Sequence, residues 1–159
     1  MSSQKDYSGE EWQAVVTAPL SAGMLVITSD PAVFGSMKES AVIATTINEY
    51  GQSSETELIR EIGRAMTGND KPQMPELPTK EGPKAVMKEL VKKCHGAARI
   101  VEGKSPEEVE AFNAYLIDIA KKTAEASREG GFLGIGATRV SAQEKAAIDQ
   151  LADALGVTS

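Results

Sequence analysis

At Ser8/Glu11, Ser54/Glu57, Ser105/Glu108 and Ser141/Glu144 a serine is followed three residues later by a glutamate, and an apolar row at helical spacing comes next. In such a capping box the hydroxyl and the carboxylate take up backbone amides that the first turn of a helix leaves without partners. Pro106 strengthens the third box, because a proline at the first helical position gives up no hydrogen bond and already holds the right φ. Asp30 followed by Pro31 marks a fifth start of the same kind. Helix starts at this density leave little room for a sheet.

The rows that follow run at steps of three and four residues, the period of one buried helix face. After Ser105 come Val109, Phe112, Leu116, Ile119, Ala120 and Thr123, and Gly130 with Gly131 close the row. After Ser141 come Ile148, Leu151 and Leu155, with Gly156 where a left-handed cap belongs. After Ser54 come Leu58, Ile62, Ala65 and Met66 before Gly68; after Asp30 come Phe34, Met37, Ala41, Ala44 and Ile47, closing near Gly51. Residues 80–102 carry Val86, Leu90, Cys94, Ala97 and Val101 before Gly103. Pro19 interrupts the first segment, and an interior proline removes a hydrogen bond and crowds the preceding turn. Two helices are therefore expected there, about 9–18 and 19–28. A strand at 24–27 would have no partner for its backbone groups.

The expected fold is all-α: a single-domain bundle of six to seven helices over residues 1–159. Its core is predicted to contain Phe34, Met37, Leu58, Ile62, Leu90, Phe112, Leu116, Ile119, Leu151 and Leu155. Pro72, Pro75 and Pro78 make 68–79 an extended loop that joins the halves 8–67 and 80–156. With 159 residues and 41% hydrophobic content, one core suffices for both halves.

Charge and cysteine usage narrow the function classes. A formal charge of −6 opposes attraction to nucleic acid or anionic lipid. Cys94 and His95 are the only cysteine and histidine, so neither an intrachain disulfide nor a zinc set of these residues is available. That fits a reducing cytoplasm, and the acidic residues near the N-terminus do not suit a secretory leader. Residues 12–29 form an uncharged run of 18 residues, the threshold length for a membrane span. Its Gln13, Thr17, Pro19, Ser21, Gly23, Thr28 and Ser29 make it too polar for that, and it reads as a core segment.

For chemistry, the glycine-rich stretch 130–139 stands out. It places Gly130, Gly131, Gly134 and Gly136 around Phe132, Leu133 and Ile135, followed by Arg139. Such a loop either plugs the core or offers amides to a small anion. If a ligand site exists, it is expected at Gly131, Phe132, Gly134, Gly136, Arg139 and Ser141, where a cation meets a helix N-terminus. The order matches neither phosphate-binding glycine motif, and no strand precedes it. Cys94 and His95 are neighbours in sequence and so point about 100° apart on a helix. Cys94 reads as a buried thiol. The paired Glu-x-x-His ligands of di-iron bundles are missing, and no nucleophile, base and orienting group assemble from the sequence. No catalytic residue, metal ligand or cofactor is therefore assigned. Lys80, Lys84, Lys88 and Lys92 recur every four residues and read as a solvated face, and Trp12 reads as a core anchor.

The pieces Ala18-Pro19-Leu20, Lys38-Glu39-Ser40, Glu129-Gly130-Gly131-Phe132-Leu133-Gly134 and Val140-Ser141 with Glu144, together with Trp12, resemble a family of small helical bacterial proteins. The resemblance implies a bacterial, cytoplasmic, helical protein and carries no activity over. The stretch from Val140 to Gly156 is also similar to the last helix of tellurite-resistance B-like domains. The function expected is a non-enzymatic binding or scaffolding module, a homodimer or other homo-oligomer through the apolar 12–29 region, with a protein partner besides. The alternative is an enzyme or small-anion binder that uses the loop 130–139.

Overall fold

A computed structural model describes residues 4–29, 37–68, 76–129 and 141–157, with side chains at all of these except 37–40 and 126–129. Six α-helices form among the described residues: α1 (Gly9–Ser29), α2 (Met37–Ser53), α3 (Glu57–Thr67), α4 (Pro83–Lys104), α5 (Pro106–Glu129) and α6 (Ala142–Leu155). Two 3₁₀ turns, Gln4–Asp6 and Thr79–Glu81, precede α1 and α4. No strand occurs among these residues, and the all-α bundle expected from the sequence is what is found.

Helices α1 and α5 are the two central members, each packed against all the others. The hairpin α2–α3 covers one flank, and α4 with α6 covers the other. The predicted core residues Leu58, Ile62, Leu90, Phe112, Leu116, Ile119, Leu151 and Leu155 are all buried. Phe34 lies outside the described residues, as does the side chain of Met37. Trp12 is buried against Tyr7, with ring centroids 5.6 Å apart, as a core anchor should be.

Four local expectations fail, and each fails for a tertiary reason. The chain does not break at Pro19: α1 runs through it as one helix of 21 residues. Pro19 still deprives the Val15 carbonyl of its helical amide. Enclosure on several sides outweighs that loss, since packing supplies most helix stability in proteins. The α1 hydroxyls also turn inward, with Thr17 Oγ1 donating to the Gln13 carbonyl (2.8 Å) and Ser21 Oγ to that of Thr17 (3.2 Å). This satisfies polar atoms inside an otherwise apolar environment. Helix α1 is long and apolar enough to cross a membrane, and 78% of its apolar window is buried within the bundle. The apolar surface expected to drive self-association is thus already used inside one chain.

Second, α2 buries Ile43, Thr46 and Ile47, while Ala41 and Ala44 are exposed. Alanine is too small to dictate which side of a helix faces inward, and the larger isoleucines set the register. Third, Gly51 does not end α2, which continues to Ser53. A Cβ on Gly51 would stand 2.8 Å from the Gly63 Cα, so the glycine pair lets the backbones of α2 and α3 touch.

Fourth, the Ser54/Glu57 box does not form. Thr56 is the N-cap of α3, and Ser54 Oγ instead accepts the Thr56 amide at 3.1 Å. Glu57 pairs with Arg60 and, at 3.3 Å, with Arg64. The amide of Leu58, in the first turn of α3, donates to Glu108 Oε2 on α5 at 3.1 Å, and Glu108 is buried. One helix therefore receives its capping carboxylate from another. The Ser8/Glu11 and Ser141/Glu144 boxes form as expected, and Gly156 ends α6 in the left-handed region at φ 70°.

Candidate functional site

Of the residues expected to make an anion site, Gly131, Phe132, Gly134, Gly136 and Arg139 lie outside the described residues, as does the rest of 130–140. Ser141 is described. Its hydroxyl accepts the Glu144 amide (3.2 Å), and its own amide donates to Glu144 Oε2 (2.9 Å). Glu144 is completely buried. The Ser141 amide at the start of α6 is thus already engaged by a carboxyl group of the protein itself.

Cys94 has no solvent exposure, and its Sγ donates to the Ala18 carbonyl of α1 at 3.5 Å. Burial pushes the thiol up to about 12, so no thiolate is present at neutral pH. His95 is exposed and lines a cleft of about 300 Å³ between α4, α5 and α6, together with Arg99, Glu102, Asn113 and Asp153. The polar groups there are partly engaged with one another: Arg99 pairs with Glu102 at 3.0 Å, and Asn113 Nδ2 donates to the Leu155 carbonyl at 3.3 Å. Among the described residues, no three of His, Cys, Asp and Glu are placed to hold a metal ion.

An apolar cavity of about 390 Å³ opens between the C-terminal half of α1 and the start of α4, lined by Met24, Thr28, Leu77, Pro83 and Val86 among others. A third polar feature is internal. Tyr50 Oη donates to Asp118 Oδ2 (3.1 Å), tying α2 to α5, and the Tyr50 ring leans on that of Tyr115. Burial first, then the neighbouring Asp118 carboxylate, pushes the Tyr50 phenol up to about 12, so it stays a donor across the ordinary pH range.

The strongest surface feature is α4. Its inner face buries Val86, Leu90, Cys94, Ala97 and Val101, as the sequence predicts. Its outer face exposes Lys84, Lys88 and Lys92, continued by His95 and Arg99. Lys80 stands one element earlier, in the Thr79–Glu81 turn. The helix carries six basic residues and two acidic ones, whereas the rest of the chain carries eleven basic and twenty-one acidic. Lys93 has Glu89 at 3.6 Å, but Lys84, Lys88 and Lys92 have no ion-pair partner among the described residues. Like charges four residues apart on a helix destabilise it by about 0.2–0.5 kcal/mol per pair.

The start of α4 is unfavourable in the same sense. Helices α1, α3, α5 and α6 each carry glutamate in the first turn, where the helix dipole favours it. Helix α4 has no acid in its first turn and has Lys84 there instead, behind the cap residue Gly82 at φ 99°. Met87 and Val91 are half-buried and interleave with the lysines at spacings of three and four. The sequence shows the lysine row. Its lack of ion-pair partners among the described residues needs the structure. No protein-family model matches the chain, and no curated protein and no solved structure matches it either.

Proposed function

We propose that this protein is a non-enzymatic binding or scaffolding module of the bacterial cytoplasm, and that it self-associates as part of that role. The observation that supports this reading is the row Lys84, Lys88 and Lys92: exposed, unpaired among the described residues, and set in a chain that is net acidic outside α4. Natural sequences tend to break local rules where function requires it, and α4 breaks two of them, in its like-charge spacing and in its first turn. Its inner face is fully used by the core, so the outer face is free to serve a partner. Because α1 is enclosed, self-association runs over faces other than the apolar run 12–29. The free, buried Cys94 suits a reducing compartment.

The test compares captures from the native cell by the wild-type protein and by a variant with Lys84, Lys88 and Lys92 all changed to Gln. The expected result is a protein retained in fixed stoichiometry by the wild type and lost with the variant. Light scattering over a wide concentration range is expected to show an oligomer. Turnover in a broad hydrolase and transferase screen would replace the reading with an enzyme.

A further inference from the structure

Resting on the binding-module reading, we infer that the outer face of α4 docks an acidic amphipathic helix of a partner protein. Residues 84, 87, 88, 91 and 92 follow the spacing of a helix–helix seam, with Met87 and Val91 as the apolar steps and the three lysines as their charged border. The lysines rise about 6 Å apart. Glutamates placed every four residues on a partner helix rise by the same amount, so each lysine can meet one carboxylate while the partner's apolar row covers Met87 and Val91. An acidic partner also relieves the repulsion between lysines four residues apart in the row.

Two other polyanionic surfaces fit less well. A nucleic acid or an anionic bilayer extends far beyond the row of about 12 Å from Lys84 to Lys92 and would meet the acidic remainder of the molecule. The face presents no aromatic ring for base stacking, and Met87 and Val91 are half-buried against the core instead of protruding for insertion into lipid.

The experiment uses fluorescence anisotropy with the full chain and a labelled synthetic peptide that sets glutamates every four residues beside a leucine row. The peptide is expected to bind saturably at low ionic strength. A scrambled peptide of equal composition should bind about ten-fold more weakly, because charge without the seam is not enough. The triple Lys→Gln variant should weaken binding by at least about ten-fold, and Met87→Gln by several-fold. Equal binding of the scrambled peptide, tighter binding of duplex DNA or phosphatidylserine vesicles, or insensitivity to the triple variant overturns the inference. So does self-association that the same variant abolishes, because the occupant of the face is then a second copy of this chain. If a cellular partner is captured independently of these lysines, the assignment of the face fails while the binding-module reading stands. If neither peptide nor cellular protein is retained, both fall.

Discussion

The two flanks of the bundle are held to the central pair α1 and α5 in different ways. On the α4–α6 flank, rows of buried apolar side chains do most of the joining: Val86, Leu90, Cys94, Ala97 and Val101 from α4, and Ile148, Leu151 and Leu155 from α6. Helix α6 is closed by its own Ser141/Glu144 box and its own Gly156. On the α2–α3 flank, beside the buried Ile43, Ile47, Leu58 and Ile62, a few specific contacts stand out: the Gly51–Gly63 backbone approach that joins α2 to α3, and, toward α5, the Glu108 carboxylate lent to Leu58 and the Tyr50–Asp118 hydrogen bond. Apolar rows are additive and tolerant of small change, whereas a borrowed cap or a glycine contact is lost by one substitution. The α2–α3 flank is therefore the more readily detached part of the fold.

Changes made on each side test this contrast. Leu90→Ala removes a fully buried side chain from the tolerant flank and should cost about 2–5 kcal/mol in denaturant unfolding. The loss should be global, with hydrogen exchange rising throughout the bundle. Glu108→Ala leaves the Leu58 amide buried without its acceptor and should cost about 1–3 kcal/mol. Here the exchange should rise first in α3, and uniform exchange across all six helices would refute the contrast between flanks.

Gly63→Ala should cost about 1–3 kcal/mol, because its new Cβ would lie 2.7 Å from the Gly51 Cα and backbone yields less than a side chain tip. The expected signature is increased exchange in α2 and α3 with α6 unchanged. Lys88→Glu should have the smallest effect and the opposite sign. It converts two like-charge neighbours into two opposite pairs and should stabilise the isolated chain by about 0.5–1 kcal/mol, read from the urea midpoint. The same change should weaken partner binding, since stability and function pull apart at such a site.

The pH response sharpens the comparison further. Glu57 on α3 lies below its ordinary range, chiefly through its hydrogen bond from Arg60. A depressed carboxylate contributes stability above its unfolded value and loses it as pH falls through the folded one, so acid should loosen α3. Cys94 and Tyr50 are both raised, to about 12, so their contributions are complete below the unfolded values and fade as pH climbs toward 12. Native Cys94 should resist thiol reagents at neutral pH and react only as fast as the bundle opens, which mass spectrometry can follow.

What the sequence by itself determined here is whatever depends on residues within a turn of one another. The Ser8/Glu11 and Ser141/Glu144 boxes, the αL cap at Gly156 and the buried rows of α4, α5 and α6 are of this kind, because their partners lie three or four residues away. The lysine row of the candidate site was legible for the same reason. Only the tertiary structure decided the rest. It carried α1 through Pro19 by enclosing it, and it turned Gly51 from a helix end into a contact with Gly63. It gave α3 the carboxylate of Glu108, fifty residues away, while Glu57 turned to arginines. It also left Lys84, Lys88 and Lys92 without ion-pair partners among the described residues of an acidic chain, since which carboxylates reach a lysine depends on how whole helices pack and not on the spacing along one of them.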